Sequence, residues 1–302
     1  MSASTPHVSE PTSLAARDLI FLIIINLIWG LNLIASKIGV AQFPPVFFTA
    51  LRFVLLTVLL FRILRIHPGQ MKNLLLGAIF TGPAAFALLM MGLQLTKDAS
   101  TVAIATQMSV PFSTLLSIWL LGDRIRWKRT LGIVLAFAGI VIIGFDPRVA
   151  SYWQGFALVV ISCLISSYGL ICIKRLTNIK PLELQAWIGV TGAPTLLLLS
   201  FFIESGQASA ITDATLLAWS CLLFTALFSS MIAHTGWYYL ISRYPVTSLS
   251  PVTLLSPIFG VFFGVTLLND QLTTRMLLGG AVTLIGVFIV VMREKRIADT
   301  GT

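Results

Sequence analysis

The chain has 302 residues, 57% of them hydrophobic and only 10% charged, with a net charge of +9. Soluble chains carry about 25% charged residues, so there is too little polar surface here to cover a water-soluble core. A mean hydropathy of +0.95 says the same. The positive charge is not that of a nucleic-acid binder, because the 20 Lys and Arg lie mostly in short connections between apolar runs.

Residues 1–18 are polar and rich in Ser, Thr and Pro, which reads as a disordered cytoplasmic tail. The apolar run that follows is too long for a signal peptide and lacks a small-residue cleavage site. A helix needs about 20 apolar residues to cross the hydrocarbon core. Ten such runs follow in order: Leu19–Ile38, Pro45–Leu64, Met71–Leu95, Ala99–Leu121, Trp127–Phe145, Tyr152–Ile173, Leu182–Ile203, Ala214–Ile241, Val246–Leu268 and Leu272–Met292. They are continuous rather than alternating, which excludes a β-barrel. Most of their connections are too short to fold alone, which leaves no soluble catalytic domain. Residues 293–302 form a second polar tail. The class is an all-α membrane protein of ten transmembrane helices.

Basic residues set the direction of the spans. Arg62, Arg65, Lys72, Arg124, Arg126, Lys128, Arg129, Lys174, Arg175 and Arg243 fall in connections on one side, whereas the other side has only Lys37, Lys97, Arg148 and Arg275. This bias places both termini in the cytoplasm, in the plasma membrane, which for a bacterium is the inner membrane. Trp119, Trp127, Tyr152 and Trp153 stand at span ends, where amphipathic rings favour the interface. The 3 cysteines all lie inside apolar runs without CxxC or His pairing, so neither a disulfide framework nor a metal site is indicated. No cofactor is expected.

The fourth and fifth runs resemble the ninth and tenth. Leu120-Leu121-Gly122-Asp123 aligns with Leu267-Leu268-Asn269-Asp270, each followed by a helix with Leu131-Gly132 or Leu278-Gly279 and a second glycine at Gly139 or Gly286. Upstream, Pro111 and Pro257 interrupt corresponding helices and are expected to kink both at matching depth. The halves are residues 19–145 and 152–292. Five spans per half is an odd number, so the second half must be inverted relative to the first, an arrangement used by transporters.

With these residues in view, the chain resembles the ten-helix EamA-type exporters of the drug/metabolite transporter superfamily. The resemblance rests on Trp29-Gly30-Leu31-Asn32, Leu51-Arg52-Phe53, the Pro111 to Gly139 pattern, and their partners Trp237, Pro257, Leu268, Asp270, Gly279 and Gly286. It spans about residues 19–292 and implies a secondary transporter, working by alternating access, whose substrates are amino acids, other metabolites or drugs. Where the family often has Glu after the fourth helix of each half, this chain has Asp. That acid is expected to serve the loop or helix start. Arg52, some seven residues into the second span, could pair with a substrate carboxylate, snorkel outward or bond backbone carbonyls; the family keeps an Arg at this position whatever its substrate, which favours the structural role.

Polar side chains inside apolar spans are costly unless partnered or wet, and they mark the candidate site. Asn26, Trp29 and Asn32 fall within a third of the first helix's circumference. Thr106 and Gln107 lie in the fourth span and Ser166 in the sixth. In the eighth, His234, Trp237 and Tyr238 cluster together. These nine residues are the expected substrate-binding set, with Pro111 and Pro257 as conformational residues. Rings beside neutral hydrogen-bonding groups suit a zwitterion with an aromatic or apolar side chain, hence amino-acid export, with drugs or purine-like metabolites as the alternative. No GxSxG, HExxH or P-loop pattern is present, so catalytic residues are not expected. The expected partners are a small-molecule substrate and the lipid bilayer, with no nucleic acid and a monomer or weak dimer as the assembly.

Overall fold

A computed structural model describes residues 15–122, 126–241, 243–244 and 246–300, except the side chains of 238, 246–248, 250 and 293–300. Among these residues, ten helices are long and apolar enough to cross a membrane. Five occupy the first half: Ala16–Val40, Pro45–Ile63, Met71–Leu95, Ala99–Leu121 and Trp127–Gly144. Five occupy the second: Trp153–Lys174, Pro181–Ile203, Leu216–Ile241, Pro251–Leu268 and Thr274–Met292. They are called spans 1 to 10 below. An even number of crossings brings the first and last spans to one end of the bundle, the near end, and leaves the opposite, far end to the 1–2, 3–4, 5–6, 7–8 and 9–10 connections.

Local chemistry fixes the span ends. Pro45 and Pro181 open spans 2 and 7 at the first helical positions, where a missing N–H costs nothing. Span 4 closes on Gly122 with φ +75° and span 9 on Asn269 with φ +57°. The aligned Gly and Asn therefore occupy the same left-handed capping position, which those two residue types tolerate best. Asp123 lies outside the described residues, but its counterpart Asp270 accepts hydrogen bonds from the backbone N–H and the hydroxyl of Ser100, both at 2.7 Å. It therefore caps the start of span 4, the helix-start role the sequence suggests. Span 1 begins at Ala16, inside the expected tail, and Tyr244 donates a 2.6 Å hydrogen bond to Asp18 there. The last helix runs from Thr274 to Thr300, so residues 293–300 continue the helix of span 10.

Among the described residues, span 2 ends in a 3-10 turn at Phe61–Ile63, and four spans depart from α geometry in their interiors, in pairs. Span 3 widens and kinks within Phe80–Ala84, where Gly82 leaves helical geometry (φ −96°, ψ −109°) just before Pro83, and span 8 carries a π-helical run at Thr225–Ala233. Each is the third span of its half. Span 4 tightens into a 3-10 turn at Thr106–Met108, because Pro111 has no N–H for the Gln107 carbonyl. In the stretch leading through span 9, helices Val246–Thr253 and Leu255–Leu268 meet at Leu254, where Pro257 likewise leaves the Thr253 carbonyl without its helical donor.

Spans 5 and 10 pack backbone to backbone. A Cβ on Gly286 would lie 2.6 Å from the Gly132 carbonyl oxygen, and one on Gly279 2.6 Å from that of Gly139. Small residues permit such approach and van der Waals contact then holds the helices together. Toward the far end, Phe43, Phe48, Met90, Leu93 and Val102 form a fully packed apolar cluster. Above it, the connections of both halves interlock: Asp146 accepts from Thr273, Arg148 donates to Gln271 at 2.9 Å, and Arg275 donates to the Phe145 carbonyl at 2.7 Å. Lys37 meets the carbonyls of Leu93 and Thr96 that end span 3. Three of the four basic residues that run against the charge bias are thus held by protein groups. The interfacial aromatics divide: Trp119, Trp127 and Trp153 are 81%, 68% and 62% exposed, but Tyr152 is 6% exposed. Its hydroxyl turns inward to Asp98, which corrects its reading as an interface anchor.

Candidate functional site

Below the apolar cluster the bundle opens into a cavity of two adjoining lobes, of about 410 Å³ and about 330 Å³. Trp29, Arg52, Phe86, Thr106, Ser109 and His234 line both lobes. The first lobe extends toward the near end past Ser166, Leu170 and Gln185, and Trp237 closes one side of it. The second runs toward span 9 along Asn32, Gln107, Ser256 and Pro257.

Helix periodicity explains how span 1 meets span 8. Trp29 projects between His234 and Trp237, with ring centroids 5.4 Å and 6.0 Å apart and interplanar angles of 64° and 63°. Edge-on contacts of this kind favour both rings and leave other faces free toward the cavity. The wide π-helical run places a carbonyl five residues back within reach of a side chain. His234 Nδ1 lies 2.7 Å from the Ser229 carbonyl, and the Ser230 hydroxyl donates to that of Thr225 at 3.1 Å. A carbonyl only accepts, so Nδ1 carries the proton and Nε2 is left as an acceptor.

Arg52 neither snorkels to the membrane surface nor meets a carboxylate. It is 1% exposed; its Nε donates to the Ser230 hydroxyl at 2.8 Å and its guanidinium carbon sits 4.7 Å above the Phe86 ring. Among the described lining residues it alone bears a fixed charge. Its Nη1, the Trp29 Nε1 and the Asn32 Oδ1 are buried without a hydrogen-bond partner among the described residues.

Of the nine residues expected at the site, Trp29, Thr106 and His234 line both lobes, Ser166 and Trp237 the first, and Asn32 and Gln107 the second. Asn26 is not brought there. It is fully buried and its amide nitrogen donates to the Leu22 carbonyl at 2.7 Å. It lies 120° around the helix from Asn32. The side chain of Tyr238 lies outside the described residues. Pro257 lines the second lobe, whereas Pro111 is buried within span 4 and touches neither. Phe86 and Gln185 were not legible as site residues. Gln185 is a polar side chain in the first turns of an apolar span, a signal that could have found it; Phe86 is one of 20 phenylalanines with nothing to distinguish it.

The EamA-like transporter family matches this chain twice, at residues 17–145 and 153–292. An uncharacterized transporter of Bacillus subtilis (strain 168), YoaV, is 25% identical over 280 residues, covering 89% of this chain and 94% of its own. A probable amino-acid metabolite efflux pump of Escherichia coli (strain K12) is 25% identical over 304 residues, covering 96% of this chain and all of its own length. A crystal structure at 17% identity superposes with a TM-score of 0.63 over 94% of this chain and 99% of that one, a likeness of fold. The double match, one copy to each five-span half, makes the chain a multi-pass membrane transporter rather than an enzyme, and a member of the EamA-like transporter family.

Proposed function

We propose that this chain is a secondary exporter of amino acids with aromatic or apolar side chains. It works by alternating access between two five-span halves of inverted orientation, in a bacterial inner membrane with both termini in the cytoplasm. The observation that carries the reading is the cavity itself: rings of Trp29 and Trp237 stand beside buried, unpartnered hydrogen-bonding atoms, a combination that suits a ligand with one apolar and one polar end. The closed far end and the lobe extending toward the near end fit a state open to the cytoplasm. Pro111, Pro257 and the irregular turns give each half matching points at which to bend. The name of the Escherichia coli relative points the same way. No Asp or Glu is among the described lining residues, which supports a coupling that does not run through a carboxylate in the cavity. The assembly is a monomer or weak dimer.

Proteoliposomes containing only this chain test the reading. Labelled phenylalanine or leucine should show saturable flux and counterflow without ATP. Saturable flux of a nucleoside or dye alone would replace the substrate and leave the fold intact. Orientation is read from intact cells: a cysteine at the exposed Ser209 should react with an impermeant thiol reagent, and one at Lys180 should not.

A further inference from the structure

We propose that Arg52 is the carboxylate-binding residue of the cavity, so that the molecules carried are acids rather than amines or uncharged compounds. The inference rests on the export of amino-acid-like metabolites proposed above and names the group by which they are recognised.

A guanidinium stays ionised and presents five N–H donors in a planar fork. Burying it without a counter-charge is unfavourable, yet Arg52 is 1% exposed and its partners among the described residues are one neutral hydroxyl and one aromatic face. Both of those groups position it. Ser230 accepts from Nε and Phe86 lies against the guanidinium plane, which leaves Nη1 without a hydrogen-bond partner among the described residues, in a side chain that lines both lobes. A structural arginine tying spans together would spend its donors on carbonyls, as Lys37 does at the end of span 3. This one leaves Nη1 without a partner among the described residues.

A carboxylate accepts from two nitrogens of that fork at once, the geometry for which Arg is best suited. Trp29 adds a second unpartnered donor, its Nε1. The rings of Trp29 and Trp237 then take the apolar part. An ammonium group meets no carboxylate here; the acceptors offered to it are His234 Nε2 and Asn32 Oδ1. The acid end of the ligand is therefore the anchored end, and removing an amine costs recognition less than masking the acid does.

Tryptophan fluorescence of the purified protein reads binding directly. Four probes share one phenyl group: 3-phenylpropionate, L-phenylalanine, L-phenylalaninamide and 2-phenylethylamine. The two acids should bind at least about tenfold more tightly than the two compounds without a carboxylate. Arg52→Lys should keep part of that preference and Arg52→Gln should abolish it. Equal affinity for acid and amide in the unaltered protein overturns the assignment without recourse to a variant. So does an acid preference that survives in Arg52→Gln, or no binding of either acid. If the acids bind in an Arg52-dependent way but none crosses the proteoliposome membrane, the export of amino acids falls and the role of Arg52 stands.

Discussion

Arg148 grips Asp98 with two nitrogens, Nε to Oδ2 at 3.1 Å and Nη2 to Oδ1 at 3.0 Å, while the Tyr152 hydroxyl donates to the same carboxylate at 2.9 Å. Burial and then the neighbouring Asp98 push the Tyr152 phenol above the ordinary tyrosine range, so it remains a donor throughout physiological pH. The three residues come from the 3–4 and 5–6 connections, Tyr152 immediately ahead of span 6, and they stand over the far end of the cavity.

Breaking that grip should open the far end. Hydrogen bonds to charged groups contribute about 1.5–3 kcal/mol, and each 1.4 kcal/mol shifts a two-state population about tenfold. Cys163 lines the first lobe and is 5% exposed, so it reports access when Cys172 and Cys221 are replaced by Ser. With Arg148→Gln, an impermeant thiol reagent applied from the far side should label Cys163 about tenfold faster. An unchanged rate would mean that the pair does not hold the closed state.

The same loops should give the transporter an acid-sensitive component of stability. Burial alone raises the Asp146 carboxyl, but hydrogen bonds from the Thr273 hydroxyl and from the N–H groups of Arg148 and Val149 outweigh it and hold it below the ordinary 3.8. A carboxyl lowered on folding stabilises the protein above its unfolded pKa, and that contribution fades as pH falls through the folded value. Asp146→Asn should lower the Tm at pH 7, and the difference from the parent should shrink by pH 3. A gap that stays constant with pH would assign the loss to packing.

Gly139→Ala should separate spans 5 and 10. Its Cβ would collide with Thr283 and with the Gly279 carbonyl, whereas one on Gly144, in the same helix, would meet only Phe156 at an ordinary 3.6 Å. Overpacking of this kind costs about 1–3 kcal/mol. Thermal unfolding in detergent should show a lower Tm for Gly139→Ala and almost none of that loss for Gly144→Ala.

His234 should act through one acceptor nitrogen. Since Nδ1 is committed to the Ser229 carbonyl, Nε2 is what the cavity can use. His234→Gln keeps both a donor and an acceptor and should retain more transport than His234→Leu when flux is measured from pH 5.5 to 8. Normal flux in the Leu variant would make His234 a packing residue. Loss of pH dependence alone in the Gln variant would make it a proton carrier.

What the sequence disclosed and what it hid have separate causes. Span positions were legible because the hydrocarbon core demands a length, and the predicted and observed starts of the third, fourth and fifth spans coincide at Met71, Ala99 and Trp127. Trp29, His234 and Trp237 stood out because rings beside polar groups are conspicuous in an apolar helix. Asn26 misled because an arc of a third of a helix is wide enough to face two neighbours. The Asp98–Arg148–Tyr152 cluster was invisible, since it joins residues 50 or more positions apart and only the packing of spans brings them together. The π-helical run of span 8 left no mark either: Thr225–Ala233 contains neither Pro nor Gly.

That run has a consequence for motion. A π turn holds one residue more than an α turn of the same kind, and a residue is worth about 100° of rotation and 1.5 Å of rise. His234 begins the α-helix immediately after Thr225–Ala233. Letting the run tighten to α geometry would turn everything beyond it like a dial by one position, sweeping His234 and Trp237 off the wall they share with Trp29. Span 3 widens at Phe80–Ala84 too, but there it kinks at Gly82, just ahead of Ala85 and Phe86 on that wall. A change of register at the run in span 8 would therefore reshape the cavity wall without separating the helices.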